Sequence, residues 1–529
     1  MPVTPPPMPD TGTACGKRSA STAAPDGQAF NPACNEGFLG ARLADLVCGD
    51  MRWCMVANTM LDLRWLLSAC PDLARAGRMV LVHDKCTSRA SLLDSAREAG
   101  IADKVVAFQP HIPDPKFFIL EYAAGLRVIV TTANCIYADV HTQTQGLFHQ
   151  DFPFHEGVAA EQSGDQSFGE DLLQALVAMG MPPTITKYCA DLLGHVDFSS
   201  ARGKIVASAP GWHSGAGLHS WGHMRLRACL AAAAPWPAAF RGSPLASSLG
   251  AISERWLVQE FGASLAAGRC ERAAGSRFTG SWGGELARRE SVMPHLKTYC
   301  RWAAGPAGTA EVAWLLVASH NTSRAAWGGL ELGGTQLFIR SHEMGVLLLP
   351  EVEAGYRSSS HCAFRCTGLG SAVTSPPPHL PVAAPLQQQA PRAQQAQQAV
   401  QPQQAQQQPP QQQQQQPHRR HHQQQQRQPA LVVRYVQWSP GTGQAASLEA
   451  AGRAGPAPTL RVPLPLPYPL PPRLLAAAGA RPWASDVCFP GQDSRGRTLP
   501  QQCRRGRDLL VWGLCDTEPW SDILASRGY

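Results

Sequence analysis

The chain has 529 residues, a formal charge of +7 and 44% hydrophobic residues. That length exceeds one ordinary domain, and the mild basicity suits a polyanionic ligand without requiring one. No apolar run is long enough to span a bilayer, and the proline-rich residues 1–10 lack the apolar core of a signal peptide, so a soluble intracellular protein is expected. The sixteen cysteines include no Cys-x-x-Cys pair. This argues against a zinc module and, with no export signal, against a disulfide framework.

In chain order, residues 1–36 carry no structural period and read as a disordered segment. A first lobe is expected over 37–204. Its runs 79–82, 117–120 and 126–130 are short and nearly all apolar, and they alternate with helical stretches at 88–99 and 171–179. That is the pattern of an α/β layer fold whose sheets are covered on both faces. A second lobe over 205–350 opens a helix near Trp221-Gly222-His223 and Arg225, with another at 253–261 and a buried strand at 312–318. Cys54, Cys135, Cys189 and Cys229 lie in apolar or helical surroundings and read as buried thiols. His361-Cys362 and Cys366 read as a loop, since no second pair stands near them.

Residues 351–459 read as a low-complexity insertion. From 375 to 429 the sequence is proline, alanine and glutamine with a basic patch at His418-Arg419-Arg420-His421-His422. It cannot bury enough apolar surface to offset its chain entropy, so disorder is expected, with a short strand after it at 431–436. Residues 460–500 complete the second lobe, and 501–529 form a tail.

The candidate chemistry lies in Met293-Pro294-His295-Leu296-Lys297-Thr298-Tyr299, followed by Ala318-Ser319-His320-Asn321. On an extended strand residues i and i+2 share a face, so His295 and Lys297 project into one site. The strand before Ser319 and Asn321 delivers both to the same place. Imidazole, ammonium and amide together suit phosphoryl transfer without a metal. A lone His-x-Lys is weak evidence, but a partial second copy runs from Lys116 through two strand-like stretches to Asn134. An internal repeat of this kind suggests two similar lobes sharing one site.

The chain resembles the tyrosyl-DNA phosphodiesterases of the phospholipase D superfamily. The residues that carry the resemblance are Val80-Leu81-Val82-His83, Ala107-Phe108, Gly125-Leu126-Arg127-Val128, Ala138 to Gly146, Ser220 to Leu226, Ser248-Leu249-Gly250-Ala251, Met293 to Tyr299, Ala325-Ala326-Trp327-Gly328, Gly334 to Leu337, Ile339 to Leu347 and Arg481-Pro482-Trp483. The resemblance implies two phospholipase D-like lobes, each a mixed sheet between helices, with one active site at their interface. It implies hydrolysis of a phosphodiester joining a DNA 3′ end to tyrosine, the adduct of a stalled topoisomerase I, in a monomeric nuclear repair enzyme that needs no cofactor or metal. A first-motif histidine would attack phosphorus. His295 would protonate the leaving oxygen and then activate water. Lys116 and Lys297 would offset phosphoryl charge, with Asn134 and Asn321 orienting its oxygens. Gln145 and Glu343 fall at positions that support the two histidines, Ser319 beside them, and Phe108 where an aromatic lies against a DNA base.

One departure stands out. The resemblance places the nucleophilic histidine two residues before the first lysine, where this chain has Asp114, and the nearest histidine is His111. Three readings stand. His111 attacks from an irregular loop, Asp114 attacks, or the chain is inactive as written. The last is favoured, because residues 265–293 also depart from the family pattern, and two damaged places beside well-matched blocks suggest exon-edge errors. A DNA-end-binding homologue without turnover is the second function class. A lipid phosphodiesterase is the weakest, because the aspartate expected five residues after each lysine is Glu121 and Trp302 here.

Overall fold

The computed structural model describes residues 42–110, 115–155, 165–236, 240–246, 252–268, 294–305, 309–358, 431–437, 447–449, 459–464, 466 and 468–470. His111 and Asp114, the Ser248 to Ala251 block, the basic patch, the Cys362 cluster and Arg481-Pro482-Trp483 lie outside the described residues.

The first lobe is built on strands β1 (Trp53–Asn58), β2 (Met79–His83), β3 (Val105–Phe108), β4 (Phe117–Glu121), β5 (Gly125–Thr131) and β6 (Leu147–Pro153). They form one sheet in the order β3-β2-β1-β4-β5-β6, parallel from β3 to β1 and antiparallel from there to β6. The run of apolar residues in β1 has a direct cause, since alternate side chains enter different cores. Trp53, Met55 and Ala57 face one cluster, and Cys54 and Val56 face the other. The helix Ser167–Ala178 covers the first cluster with Phe168, Leu172, Ala175 and Leu176, a stripe at helical spacing. On the other face lie the helices Leu63–Ala69 and Arg89–Glu98. Each starts at a side chain that accepts an orphan backbone N–H: Asp62 from Trp65 (3.0 Å) and Ser88 from Ser91 (3.4 Å).

The second lobe contributes β7 (Gly203–Ser208), β8 (Gly211–Ser214), β9 (Arg241–Ala246), β10 (Lys297–Ala304), β11 (Ala310–Ala318), β12 (Gly329–Glu331), β13 (Gln336–Ile339), β14 (Glu343–Leu348), β15 (Val432–Gln437), β16 (Ser447–Glu449) and β17 (Thr459–Leu464). β9, β10 and β11 are antiparallel neighbours. β14 joins the C-terminal half of β11 and pairs with β7. β15 borders the N-terminal end of β11, running parallel to β17. A separate small sheet has the order β12-β13-β8.

Two features correct the sequence reading. The span read as an insertion, 351–459, carries second-lobe structure at both ends, and the strand expected at 431–436 is present as β15. Pro350–Ser358 is helical, and β15, inside the span assigned to the insertion, buries Val433 and Tyr435 against Val312 and Leu315 of β11. The pairing of that strand with β11, whose apolar surface needs the cover, is not revealed by local composition. The helix expected at 253–261 is a π-helix over Arg255–Phe261 that runs into an α-helical turn at Gly262–Leu265. The wider turn carries Trp256 and Phe261 into the core, their rings stacked with centroids 5.1 Å apart. The helix opened by Trp221 is Gly222–Ala232, where Gly222 has φ +56° and a Cβ would lie 2.2 Å from the Trp327 carbonyl oxygen, so only glycine fits.

The four thiols read as buried are buried. Desolvation holds the thiols of Cys54 and Cys189 up at about 12, so they stay protonated. One ion pair is enclosed in the first lobe. Arg127 donates to both oxygens of Asp151, at 2.6 and 2.8 Å, and its third donor reaches the Leu46 carbonyl at 2.8 Å.

The lobes share one core, in which Phe168, Leu172 and Leu176 of the first lobe lie with Ile205, Met344 and Val346 of the second, and they also meet at the ends of their central strands. The His295 backbone N–H donates to the Thr144 carbonyl (2.8 Å). Gly146 lies so close to the other lobe that a Cβ there would stand 3.1 Å from Leu296 Cδ2 and 3.4 Å from Val317 Cγ1.

Candidate active site

The seam between the lobes gathers the paired motifs. Lys116 immediately precedes β4, Asn134 follows β5, and Gln145 precedes β6. In the second lobe Lys297 opens β10, Ser319 and Asn321 follow β11, and Glu343 opens β14. Each set therefore hangs from the same part of an antiparallel three-strand unit, β4-β5-β6 or β10-β11-β14. The strand cores are apolar because they are covered on both faces. The polar residues stand where the strands end at the seam.

His295 is held by groups from both lobes. The Gln145 amide nitrogen donates to the Asp139 carbonyl (2.9 Å) and to Gln143 Oε1 (3.4 Å). Its Oε1 is thereby turned toward Thr132 Oγ1 at 2.7 Å and His295 Nδ1 at 3.2 Å. With an acceptor fixed there, Nδ1 carries the proton and Nε2 is left as the basic nitrogen. Lys297 Nζ donates to that Nε2 at 2.8 Å and to the His295 carbonyl at 3.3 Å. The face-sharing of His295 and Lys297 read from their spacing is thus realised.

The electrostatics follow from burial. Lys297 is 1% exposed and Lys116 is 4% exposed. Burial, then the Lys297 and Lys116 ammoniums, push the His295 imidazole down from its ordinary value to about 2, so it is neutral at physiological pH. The Asp139 carboxylate stands 3.4 Å from Nδ1, and the Thr132 backbone pulls the imidazole the other way without outweighing those three. The Lys116 ammonium, which donates to Thr59 Oγ1 at 3.2 Å, is near enough to His295 to lower its basicity.

Asp139 is the residue that sequence reasoning missed as a site member. It sits in the first turn of the helix Tyr137–Thr142 and accepts both the backbone N–H (3.0 Å) and the side-chain amide (2.8 Å) of Asn134. This fixes the Asn134 carboxamide, whose Oδ1 is buried without a hydrogen-bond partner, as is Oδ1 of Asn321. Thr132, and Thr59, which accepts from Lys116 Nζ at 3.2 Å, were also missed. The signal for Asp139 was its position five residues after Asn134, opening a helix next to a site loop.

The remaining predicted residues divide. Ser319 Oγ donates to Glu343 Oε2 at 2.5 Å and accepts from Met344 N at 3.0 Å, so Glu343 and Ser319 form a buried pair on the second-lobe side. Strand alternation turns His320 away, to Ser208 Oγ (3.1 Å) and onto the Trp327 ring, with centroids 4.1 Å apart. Phe108 ends β3 on the edge of the first sheet, partly buried against the core, and no described contact joins it to His295 or the lysines. Glu121 lies at the far end of β4 and accepts from the Tyr188 hydroxyl (2.5 Å), away from the seam. Among the described residues no group of three or more His, Cys, Asp or Glu side chains could hold a metal ion.

Comparison with known proteins gives a consistent result. The family model for tyrosyl-DNA phosphodiesterase matches residues 40–278 and 273–473. The chain is 31% identical over 385 residues to tyrosyl-DNA phosphodiesterase 1 of Arabidopsis thaliana, covering 61% of this chain and 60% of that protein. It is 26% identical over 380 residues to tyrosyl-DNA phosphodiesterase 1 of Drosophila melanogaster, covering 59% and 63%. Among solved structures, yeast tyrosyl-DNA phosphodiesterase aligns with a TM-score of 0.44 and 15% identity, over 59% of this chain and 87% of that one. The match thus spans about three-fifths of the length of these plant and insect relatives. With the family match running from residue 40 to residue 473, the chain belongs to the tyrosyl-DNA phosphodiesterase family.

Proposed function

We propose that this chain is a nuclear DNA repair phosphodiesterase that hydrolyses 3′-phosphotyrosyl DNA and related 3′-blocked ends. The observation that carries the reading is His295, with Nδ1–H held by Gln145 of the first lobe and Nε2 against Lys297 of the second. An imidazole oriented from both lobes, in contact with buried Lys297 and under the charge of buried Lys116, suits proton transfer at an anionic phosphorus centre.

On this reading a phosphodiester enters between Lys116 and Lys297 and draws the Lys297 ammonium off Nε2. The anion offsets the two positive charges that depress the imidazole, so His295 takes up a proton as substrate binds. His111 then attacks phosphorus, the bond to the tyrosyl oxygen breaks, and His295 Nε2 gives its proton to the departing phenolate. In the second step His295 Nε2 takes a proton from water as that water attacks phosphorus. The bond to the nucleophile breaks, and the 3′-phosphate leaves. Glu343 is the counterpart of Gln145 for the first-motif histidine, and Phe108 is an outlying base contact.

A second reading rests on Asp114, which occupies the position of the family's nucleophile. In that case the chain holds blocked DNA ends without cleaving them. The deciding experiment is turnover of a 3′-phosphotyrosyl oligonucleotide in the presence of a chelator. Cleavage that stops in His295→Ala supports the enzyme. Undiminished binding with no turnover in the parent chain supports the binder and overturns the enzyme.

A further inference from the structure

Each site asparagine is reached through a peptide whose carbonyl is tied down by a buried side chain. In the first lobe, Asn58 at the end of β1 donates its Nδ2 to the Ala133 carbonyl, one residue before Asn134, at 3.0 Å. In the second lobe, the hydroxyl of Tyr299 on β10 donates to the His320 carbonyl, one residue before Asn321, at 2.9 Å. The phenol oxygen is itself held from two other sides. Its one proton goes to the carbonyl, so it accepts the Trp327 indole N–H at 3.1 Å and the Thr322 hydroxyl at 3.2 Å. Burial pushes this phenol above its ordinary range, so it stays a donor.

Buried carbonyls generally find donors, which accounts for one such bond. Two observations go further. The donors are not equivalents in the repeat. Asn58 ends β1, which β4 separates from β5, whereas Tyr299 lies on β10, the direct neighbour of β11. By spacing from the lysine, the first-lobe counterpart of Tyr299 is Phe118, which has no hydrogen-bonding group. Different residues on non-equivalent strands thus grip the same peptide in each lobe. In addition, Oδ1 of Asn134 and Oδ1 of Asn321 are both buried without a hydrogen-bond partner, so neither carboxamide is held through its oxygen.

We infer that Asn58 and Tyr299 are positioning residues, which aim the Asn134 and Asn321 carboxamides by fixing the peptide before each. A peptide unit is planar, so holding its carbonyl also fixes the N–H and Cα at its other end, and with them the direction in which the asparagine Cβ leaves. Asn134 has a second hold, because Asp139 accepts both its backbone and its side-chain N–H. Five residues after Asn321 stands Ala326, which offers no carboxylate, so Tyr299 carries more of the task than Asn58. The inference deepens the reading of the seam as a phosphodiester site and rests on it for what the two carboxamides meet.

The test uses the full chain with Tyr299→Phe, which removes only the hydroxyl, and with Asn58→Leu, replaced by Asn58→Ala should the leucine variant not fold. Nitrogen-15 relaxation of the Asn134 and Asn321 side-chain NH2 groups is read without substrate. Tyr299→Phe loosens Asn321 and leaves Asn134 as in the parent. The Asn58 variant does the reverse, and by less. On a 3′-phosphotyrosyl oligonucleotide, Tyr299→Phe lowers kcat about tenfold at unchanged KM, as the loss of one hydrogen bond in the transition state does. If the parent chain does not turn over, the function proposed for the seam fails, and the relaxation measurement decides the positioning role without it. NH2 groups as rigid in both variants as in the parent overturn the inference. So does equal loosening of both asparagines in either variant, the mark of a general packing role, or selective loosening that leaves kcat intact in an active parent.

Discussion

Gln145 is neutral, so it adds no charge to oppose the burial and the two ammoniums that hold the basicity of His295 low. Gln145→Glu keeps the shape of the side chain and places a carboxylate oxygen where Oε1 now stands, 3.2 Å from His295 Nδ1. At an effective dielectric constant of about 20, two unit charges at that distance interact by about 5 kcal/mol. One pH unit corresponds to about 1.4 kcal/mol, so the imidazole rises by three to four units. From about 2 it arrives at about 6. The assay is a proton NMR titration of the histidine ring resonances, with His295 assigned by the signal lost in His295→Asn. In the parent chain this resonance does not move between pH 5 and pH 8, roughly the range ordinary histidines titrate in. In Gln145→Glu it titrates within that range. A parent resonance that already titrates near 6.5, or a variant resonance that stays fixed, refutes the account of how the site sets its basicity.

Other consequences follow from the same contacts. Gly146→Val pushes a branched side chain against Leu296 and Val317 across the seam and costs about 1–3 kcal/mol of stability in urea unfolding, since overpacking there forces the lobes apart. Arg127→Ala leaves Asp151 buried without its bidentate partner, and a loss of about 3–5 kcal/mol is expected in the same measurement. His295, His320 and His342 are all held neutral by burial, at about 2, 3 and 4. Unfolding lets them bind protons near their ordinary value, so their contribution is full above about pH 6.5 and is lost as the pH falls from there toward the folded values. Urea unfolding at pH 5.5 therefore shows about 4 kcal/mol less stability than at pH 7.5 from these three groups. A pH-independent midpoint shows that they are not buried neutral.

The site was legible in part. Lys116, Asn134, Lys297 and Asn321 stood out because each ends or opens an apolar strand, and strand ends are where polar side chains converge. The i, i+2 spacing of His295 and Lys297 gave their shared face directly. The partner of His295 was less accessible. Gln145 is 150 residues away, and its resemblance to family positions marked it as supporting one of two histidines without saying which. Asp139 acts through a local turn onto Asn134, a contact no hydrophobic period records. The pairing of β15 with β11 lies beyond a glutamine-rich stretch, where sequence proximity carries no information about sheet neighbours. The π-turn at Arg255–Phe261 has the same residues as an α-helix and differs in how far it rotates Trp256 and Phe261 into the core.

The imidazole is also a sensor of completeness. Its protonation pattern is written by one lobe and its neighbouring charge by the other, through a seam closed by the Thr144 carbonyl and the absent side chain of Gly146. A chain that has emerged only as far as its first lobe has lysine, amide and carboxylate but lacks the His295 imidazole they help to orient. A chain whose lobes have parted keeps the imidazole but lets it choose its tautomer freely. The oriented imidazole is therefore assembled last, at the moment the two halves dock.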